Sequence, residues 1–306
     1  MATFTTATTA VDKYTFTGSV SNTLFLQFQR NMQRGDFFDG GAGTDKIQIR
    51  SSMAGEEDFD VRGITFRSFE QLSYYPMSGM DMPGSVKFNS SQFGTDAQGN
   101  ALISNSLFVI GSNFSPTDTQ KIYIYVDSGH NDFSARAWTF AGWATGKDIL
   151  KVYGSSGHNE LSGSSMADTL MGNAGDDVLR GNNGNDTLTG GAGEDTMFGG
   201  SGRDVFDFNS RTESGPSAAL SDYIYDFARG YDDIDLSSID ASTRSAGNQA
   251  FKFIGSQGFH KVAGELHYRH SGSSTLVEGD INGDATADFQ IELRGKITLS
   301  ATDFIL

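Results

Sequence analysis

The chain has 306 residues, enough for two or three domains of ordinary size. It contains 38 glycines, no cysteine, and 38 acidic against 22 basic residues, which gives a net charge of −16. This composition excludes disulfides and thiolate metal sites, argues against nucleic acid as a partner, and favours hard cations that take oxygen ligands. Apolar runs such as residues 107–110 are too short for an integral membrane segment, and the first residues show no secretory leader.

Residues 1–150 carry short β-rich segments at irregular spacing, with no amphipathic helix between them. We therefore expect a right-handed parallel β-solenoid over residues 1–150. Residues 74–83 gather two tyrosines and three methionines, which suits either an adaptable contact loop or a loop packed over the solenoid. Trp138 and Trp143 fit two roles, stacking on sugars or, more commonly, packing in the core.

An isolated nonapeptide, GGAGTDKIQ at residues 40–48, follows a degenerate copy at residues 31–39. Asp36 and Asp45 are the acidic residues at the sixth position of the two copies. No further copy follows at a distance of two repeats, so two interpretations stay open for Asp45. It is either a metal ligand at the edge of a turn or part of a plain turn before a strand.

A strict period of nine residues begins at Gly154. The sixth position of each copy is acidic or Asn, the eighth is apolar, and the copies are GSSGHNELS, GSSMADTLM, GNAGDDVLR, GNNGNDTLT, GGAGEDTMF and GGSGRDVFD. The pattern is identified as the glycine- and aspartate-rich nonapeptide of RTX (hemolysin-type) proteins, whose repeats form a calcium-binding parallel β-roll. Chance is a poor explanation for six copies in phase.

Each repeat is expected to form a six-residue turn and a short strand whose eighth side chain points inward. Two repeats make one coil, so turns on one edge lie two repeats apart and calcium would be held between stacked turns, with about three to four ions in the block. The implied ligands are the side chains of Asn159, Asp168, Asp177, Asp186, Asp195 and Asp204 and the turn residues Gly172, Gly175, Gly181, Gly184, Gly190, Gly191, Gly193, Gly199, Gly200 and Gly202.

Residues 204–306 resemble the C-terminal domain of serralysin-type secreted metalloproteases. The matching segments are DYIYDFARGYDDIDLSSIDA (222–241), NQAFKFIG (248–255), AGELHY (263–268), EGDINGDATADFQIEL (278–293) and DFIL (303–306). The resemblance implies a β-roll with a β-sandwich-like cap, and it adds Asp222 and Asp232 as calcium ligands. The expected domains are the solenoid (1–150), the roll (151–207) and the cap and secretion domain (208–306).

The segment Asp303, Phe304, Ile305, Leu306 resembles the family's signal for one-step export by a type I (ABC) apparatus; an ordinary strand is the alternative. It implies a protein secreted to the outside or the surface of a Gram-negative bacterium. Calcium-coupled folding suits such export, because repulsion between aspartates keeps the metal-free chain unfolded until it meets calcium.

Two further metal motifs are weak or missing. Asp280–Asp284 resembles the start of an EF-hand, but Ala285 replaces the turn glycine and Ile291 stands at the bidentate glutamate position. The H-E-x-x-H zinc motif of serralysins is not in the sequence, so protease activity is not expected. His267 and His270 are expected to face opposite sides of a strand and to lie at the surface.

These features favour a non-enzymatic, calcium-dependent protein such as an adhesin or an extracellular matrix component. Candidate partners are a cell-surface glycan and other copies of the chain. One alternative is a polysaccharide lyase or epimerase built on a β-helix, which the scarcity of Lys and Arg disfavours. The other is a membrane-active effector, for which the sequence offers no amphipathic or long apolar helix.

Overall fold

The computed structural model describes residues 13–15, 21, 23–26, 37–50, 57–75, 84–95, 97, 102–110, 120–127, 131–144, 147–217 and 220–306. Within these ranges the chain is all-β, as predicted, with two 3₁₀ turns at Ser90–Gln92 and Ala301–Asp303 and no α-helix. Nothing helical in the described part of the chain has the length and apolarity to cross a bilayer. Asp36 and residues 76–83 lie outside these ranges, so the expectations for them stay predictions.

The chain divides into two compact units, the first made of residues 1–152 and 164–167. Its strands are β1 (Lys13–Thr15), β2 (Thr23–Leu26), β3 (Phe37–Asp39), β4 (Lys46–Arg50), β5 (Glu57–Asp60), β6 (Thr65–Arg67), β7 (Phe69–Tyr75), β8 (Gly84–Asn89), β9 (Ile103–Ile110), β10 (Gln120–Tyr125), β11 (Asp132–Ser134), β12 (Thr139–Ala141) and β13 (Ile149–Tyr153). β10, with the sequence QKIYIY, shows why these segments form strands. Its residues alternate between buried and half-buried positions, as expected when every second side chain of a strand faces the core.

The strands of the first unit pair in the orders β1-β3-β6, β12-β9-β7-β4-β2 and β13-β10-β8-β5. The registers given for these sheets are parallel, for example Ile122 with Val86 and Ile47 with Leu72. Parallel sheets in successive strand order are the arrangement expected of a solenoid. Trp138 and Trp143 are 2% and 8% exposed, so they are core residues and sugar stacking by them is wrong.

The second unit contains residues 153–163 and 168–306. Its strands are β14 (Glu160–Ser162), β15 (Asp168–Ala174), β16 (Val178–Asn183), β17 (Thr187–Ala192), β18 (Thr196–Ser201), β19 (Val205–Asp207), β20 (Asp222–Ile224), β21 (Asp233–Asp235), β22 (Lys252–Phe253), β23 (Glu265–Ser271), β24 (Ser274–Asp280), β25 (Phe289–Arg294) and β26 (Phe304–Ile305).

Successive nonapeptides alternate between two parallel sheets of this unit. One runs in the order β15-β17-β19-β21-β26 and the other begins β14-β16-β18-β20-β25. Leu161 pairs with Leu179 and Leu170 with Leu188, so each strand meets the strand two repeats further on. The eighth side chains, Leu161, Leu170, Leu179, Leu188, Met197 and Phe206, are fully buried. The predicted β-roll is confirmed in its period, its register and its inward-pointing positions.

Beyond the roll, the chain continues the same sheets with connections longer than those between the nonapeptides. β20 and β21 pair with β18 and β19, and β25 and β26 then pair with β20 and β21. β23, β24 and β25 form an antiparallel meander on the edge of the second sheet. β25 and β26 therefore each add one more parallel strand to the two sheets of the roll. The antiparallel strands β24 and β23 lie beyond β25 in one of these sheets.

Candidate metal-binding ladders

Acidic side chains connect the turns on one edge of the roll. The backbone N–H of Asp168 donates to Oδ1 of Asp186 at 2.8 Å, and that of Asp186 donates to Oδ1 of Asp204 at 2.9 Å. The N–H of Asp204 donates in turn to Oδ1 of Asp232 at 3.0 Å. These four residues form a single chain of hydrogen bonds, the first ladder, in which each carboxylate fixes the register of the preceding turn.

The opposite edge carries a second ladder of the same design. The N–H of Asn159 donates to Oδ1 of Asp177 at 2.7 Å, and that of Asp177 to Oδ1 of Asp195 at 2.8 Å. The N–H of Asp195 then donates to Oδ1 of Asp222 at 3.0 Å. The predicted stacking of turns two repeats apart is therefore present, and Asp222 and Asp232 continue the ladders beyond the nonapeptides.

The second carboxylate oxygen is open at five positions of the two ladders. Oδ2 is buried and has no hydrogen-bond partner, among the described residues, at Asp177, Asp186, Asp195, Asp204 and Asp222. At Asn159 and Asp232 the side-chain oxygen is used within its own turn, because Asn159 Oδ1 accepts the N–H of Ser155 and Asp232 Oδ2 accepts that of Ala228, both at 2.7 Å. A buried carboxylate oxygen without a donor is costly unless a cation or a proton satisfies it.

Burial raises the pKa values of these carboxyls. Desolvation, followed by the nearby charge of Asp168, raises the pKa of Asp186 to about 9. Desolvation likewise raises the pKa of Asp222 to about 9 and that of Asp177 to about 7. In the absence of a cation, the fold therefore favours the protonated form of Asp186 and Asp222 at neutral pH.

Backbone carbonyls approach the same open oxygens. A Cβ built on Gly172 would collide with Oδ2 of Asp177 and with the carbonyl oxygen of Gly190, so the two oxygens meet beside the glycine. Gly181 stands in the same relation to Asp186 and to the carbonyl of Gly199. A first-position glycine is thus required for space, and it lets a carboxylate of one turn meet a carbonyl of the next.

The remaining turn glycines that the sequence singled out shape the turns. Gly193 and Gly202, at the fourth position, have φ of 144° and 146°, a region that side chains disfavour. Gly175, Gly184, Gly191 and Gly200 also have positive φ. These backbone angles let the chain turn between successive short strands of the roll.

The donor set fits a hard cation better than a soft one. Among the described residues no three His, Cys, Asp or Glu side chains form a group that could hold a metal ion alone. An ion on the ladders would therefore take part of its coordination from carbonyls such as those of Gly190 and Gly199. Mixed carboxylate and carbonyl oxygen is the coordination that Ca²⁺ accepts.

Sequence reasoning missed two acidic residues next to the ladders. The carboxylate of Asp226 accepts the N–H groups of Gly199 and Gly200 at 2.9 and 3.0 Å. Glu213 lies close enough for its charge to raise the pKa of Asp222, after burial and Asp195. Both follow the last nonapeptide, where the connections lengthen, so no fixed spacing pointed to them.

Asp45 stands in a ladder-like contact in the first unit. Its side chain is fully buried, and its N–H donates to Oε2 of Glu70 at 2.7 Å. Gly40 packs against Asp45 as Gly172 packs against Asp177. A glutamate of β7 thus takes the place of the stacked aspartate, and the acid pairing exists without a second nonapeptide.

The EF-hand-like loop uses its carboxylates internally. Asp280 accepts the N–H groups of Gly283 and Ala285, and Asp288 Oδ2 accepts those of Ile281 and Asn282. These bonds close a tight turn between β24 and β25. The resemblance to an EF-hand has a structural explanation in that turn.

Asp303 and His267 are both buried. Asp303 Oδ2 accepts the N–H of Ser300 at 2.7 Å and Oδ1 accepts that of Gly230 at 3.1 Å. His267 is 7% exposed and bonds Glu278 at 2.9 Å, whereas His270 is exposed. The expected opposite orientation of the two histidines is right, but the surface position of His267 is wrong, because β24 supplies a buried carboxylate opposite it.

Comparisons with known proteins match one family model and two solved structures. A family model described as "Peptidase M10 serralysin C terminal" matches residues 40–306. The AlgE6R2 subunit of the Azotobacter vinelandii mannuronan C5-epimerase is 29% identical over 50% of this chain and 91% of that one, with a TM-score of 0.40. The AlgE6R3 subunit is 26% identical over 51% of this chain and 77% of its own, with a TM-score of 0.32.

Proposed function

Because this chain belongs to the serralysin C-terminal family of M10 peptidases, we propose that it is a secreted protein whose aspartate ladders bind calcium and fold on binding it. The observation that carries the proposal is the set of five buried ladder Oδ2 atoms without a hydrogen-bond partner in the described residues. They lie on two ladders whose turn carbonyls complete an oxygen-rich surface. Calcium satisfies such oxygens without a proton.

The residues that would hold the ions are the five ladder members with an open oxygen. Asp177, Asp186, Asp195, Asp204 and Asp222 supply the open carboxylate oxygens. The first-position carbonyls, such as those of Gly190 and Gly199, supply the neutral ones. Asn159 and Asp232 close the ladders with hydrogen bonds inside their own turns and depend less on an ion. When bound, calcium supplies the positive charge that lets the stacked carboxylates ionise together.

Calcium binding would then be coupled to folding. Ionised aspartates of stacked turns face each other across the ladder, so their repulsion opposes closure of the turns. An ion between them reverses the sign of that interaction, and binding free energy becomes folding free energy. The chain would stay open at the low calcium of the cytosol and fold outside.

Export by an ABC apparatus fits this order of events. Asp303 is fully buried and Phe304 pairs with Ile234 in the folded chain. An apparatus that recognises residues 303–306 would therefore have to read them before folding. A chain that folds only after it binds calcium would remain unfolded, with these residues accessible, until it has been exported.

The proposed role is binding without catalysis, at the cell surface or in the extracellular matrix. The acids that the fold brings together are held by backbone N–H groups in the ladders, where they fix the register of turns. A general acid or base would instead need to face a substrate. The roll is thus assigned a structural and calcium-responsive task.

The test is a calcium titration of EDTA-treated protein, followed by far-UV circular dichroism and melting temperature, with magnesium in parallel. We expect a cooperative gain of β-structure with calcium and a much smaller response to magnesium, which keeps its water ligands. Secretion is tested by co-expression with an ABC exporter, comparing the chain with a truncation lacking residues 303–306. Full folding in EDTA at neutral pH would contradict the proposal.

A further inference from the structure

A second site of a different kind lies in the first unit. It is an open pocket of about 670 Å³ beside Phe93 and Phe133. Its polar lining includes Asn105, Asp132 and Arg136. Sites for small molecules usually measure about 300–1,000 Å³ and combine apolar walls with a few polar groups. The pocket has both properties.

One short segment supplies three of the five polar residues that line the pocket. In β11 the side chain of Phe133 is buried, so those of Asp132 and Ser134 point outward by strand alternation. The turn that follows places Arg136 on the same rim. The backbone N–H of Arg136 donates to Ser134 Oγ at 3.3 Å. A carboxylate, a hydroxyl and a guanidinium are thus presented by one short stretch of sequence.

A bulge brings Asn105 to the opposite rim. Phe69 of β7 pairs with Ile103 of β9, but Gln71 pairs with Phe108, so two steps along β7 match five along β9. The extra residues leave the ladder, and Asn105 in the middle of β9 is exposed. Bulges re-aim side chains and are common beside functional sites.

A glycine makes room for that side chain. Gly94 has φ of +87°, and its N–H and carbonyl bond the backbone at Ile103 and Leu102 at 2.9 Å each. A Cβ at Gly94 would lie 3.2 Å from Nδ2 of Asn105. Position 94 therefore needs glycine for its backbone angle and for the approach of the amide.

The apolar wall of the pocket is fixed before any ligand arrives. Phe93 and Phe133 are 5.6 Å apart, and Trp138 packs on them at 5.5 and 5.8 Å. The three rings pack in tilted and edge-to-face contacts that favour one arrangement. A preformed wall lowers the ordering cost of binding.

We propose that this pocket binds a neutral saccharide unit. Asp132 accepts hydrogen bonds, the Arg136 fork donates them, and Asn105 does both, which suits neighbouring hydroxyls that donate and accept. Phe93 and Phe133 are 8% and 5% exposed, so they form a rigid floor beneath the polar rim, and the rim makes the contacts with the sugar. Since the charges of Asp132 and Arg136 cancel, a neutral sugar fits better than a polyanion in an acidic protein.

The openness of the rim favours a unit of a longer glycan. Asp132, Ser134 and Arg136 are all exposed, so a saccharide in a chain enters without being enclosed. A free amino acid would also match one acid and one base, but exposed charge pairs bind weakly. The inference rests on the proposed function only for the extracellular setting, since the lining residues lie outside the nonapeptide block.

The experiment titrates the calcium-loaded full chain with cellotetraose, maltotetraose, mannotetraose and galactotetraose by calorimetry. Tetragalacturonate and the free amino acids are parallel arms. We expect at least one neutral tetrasaccharide to bind. Arg136→Ala and Asp132→Asn should each weaken that binding roughly tenfold, because each removes a charge-assisted hydrogen bond. Ser134→Trp should abolish it by filling the pocket, whereas Arg211→Ala, at an exposed arginine, should leave it unchanged.

The outcomes are distinguishable from those of the calcium proposal. If no neutral tetrasaccharide binds while calcium still induces folding, the saccharide site is wrong and the proposed function stands. Binding of tetragalacturonate or amino acids alone would show that the ligand class is wrong. Binding that survives Ser134→Trp would place the sugar elsewhere. Melting temperatures of the variants within about 2 °C of the parent show that each is folded.

Discussion

The backbone N–H of Asp186 donates to Oδ1 of Asp204 at 2.9 Å, while Oδ2 of the same Asp204 is buried without a hydrogen-bond partner in the described chain. One carboxylate therefore has two separable tasks. Oδ1 fixes the register of the preceding turn, and Oδ2 is available to an ion. Replacement of Asp by Asn divides them, because an amide oxygen still accepts the N–H but carries no charge.

The first prediction applies that division to Asp186, in the middle of the first ladder. In EDTA at pH 5 the Asp186→Asn variant should match the parent in far-UV circular dichroism, because burial raises the pKa of Asp186 to about 9 and the parent carboxyl is also neutral. At pH 7.5 the calcium midpoint should rise roughly tenfold, equivalent to about 1.4 kcal/mol. A calcium titration measures the midpoint.

Asp240→Asn is the matched control for this substitution. Asp240 is exposed, and its Oδ1 accepts the N–H groups of Ser242 and Gln249 at 3.1 and 3.2 Å. The amide can keep both bonds, so the calcium midpoint should stay where it is. Equal midpoints for both variants would show that the open Oδ2 of Asp186 contributes nothing to calcium binding.

The second prediction concerns pH without calcium. Burial raises the pKa of Asp177 to about 7 and those of Asp195 and Asp204 to about 6, all above the unfolded value near 3.8. Between these values the folded chain holds more protons than the unfolded one, so stability is lost as pH rises through the folded pKa. In EDTA, β-structure should be greater at pH 5 than at pH 8, as measured by circular dichroism.

Calcium should reverse that pH dependence. Ions bind the ionised carboxylates, so the calcium midpoint should fall from pH 5 to pH 8, and protons should be released on binding at pH 5, where the calcium-free roll holds its carboxyls protonated. Calorimetry in two buffers of different ionisation enthalpy counts those protons. β-Structure in EDTA that increases with pH would contradict the assignment of raised pKa values to the ladders.

The third prediction tests the space beside the open oxygens. Gly172→Ala should destabilise the calcium-loaded protein by about 1–3 kcal/mol, because the new Cβ would strike Asp177 Oδ2 and the carbonyl of Gly190. Urea unfolding in saturating calcium measures the loss. Gly258→Ala meets no atom within 4 Å and should change stability by less than about 0.5 kcal/mol. Equal tolerance of the two alanines would mean that the roll relaxes around the substitution.

The sequence predicted the part of the fold that repeats. A nine-residue period determines which side chains face inward and which turns stack, so Leu170 was expected beside Leu188 and Asp168 beside Asp186. Asp222 and Asp232 came from family resemblance, because their distances from Asp195 and Asp204 along the chain follow no common period. The features that depend on irregular backbone were not predicted from the sequence.

The saccharide pocket shows the same limit. Asn105 reaches the rim through a register shift between β7 and β9, and a strand pattern in sequence does not reveal a bulge. The alternation of side chains along a strand predicted that His267 and His270 lie on opposite faces. Only the pairing of β23 with β24 shows that His267 is buried in contact with Glu278. Long-range pairing is the information that the sequence pattern lacked.

The fourth prediction concerns that buried contact. Glu278 accepts hydrogen bonds from Arg269 Nε and Nη2 and bonds His267 Nε2, all at 2.9 Å. Glu278→Gln should cost about 2 kcal/mol in saturating calcium, less than for a fully buried pair because Arg269 is half-exposed. Glu160→Gln, which removes an exposed pair with Arg180, should cost less than about 0.5 kcal/mol.

The pH dependence identifies the carboxylate as the source of that stability. Burial alone would raise the pKa of Glu278, but the hydrogen bonds from His267 and Arg269 hold it below its usual value. A lowered carboxyl pKa gives stability that is present at neutral pH and lost as pH falls through the folded pKa. Urea midpoints of the parent and of Glu278→Gln should therefore converge in acid. A gap that stays constant with pH would assign the loss to packing and not to the ionised carboxylate.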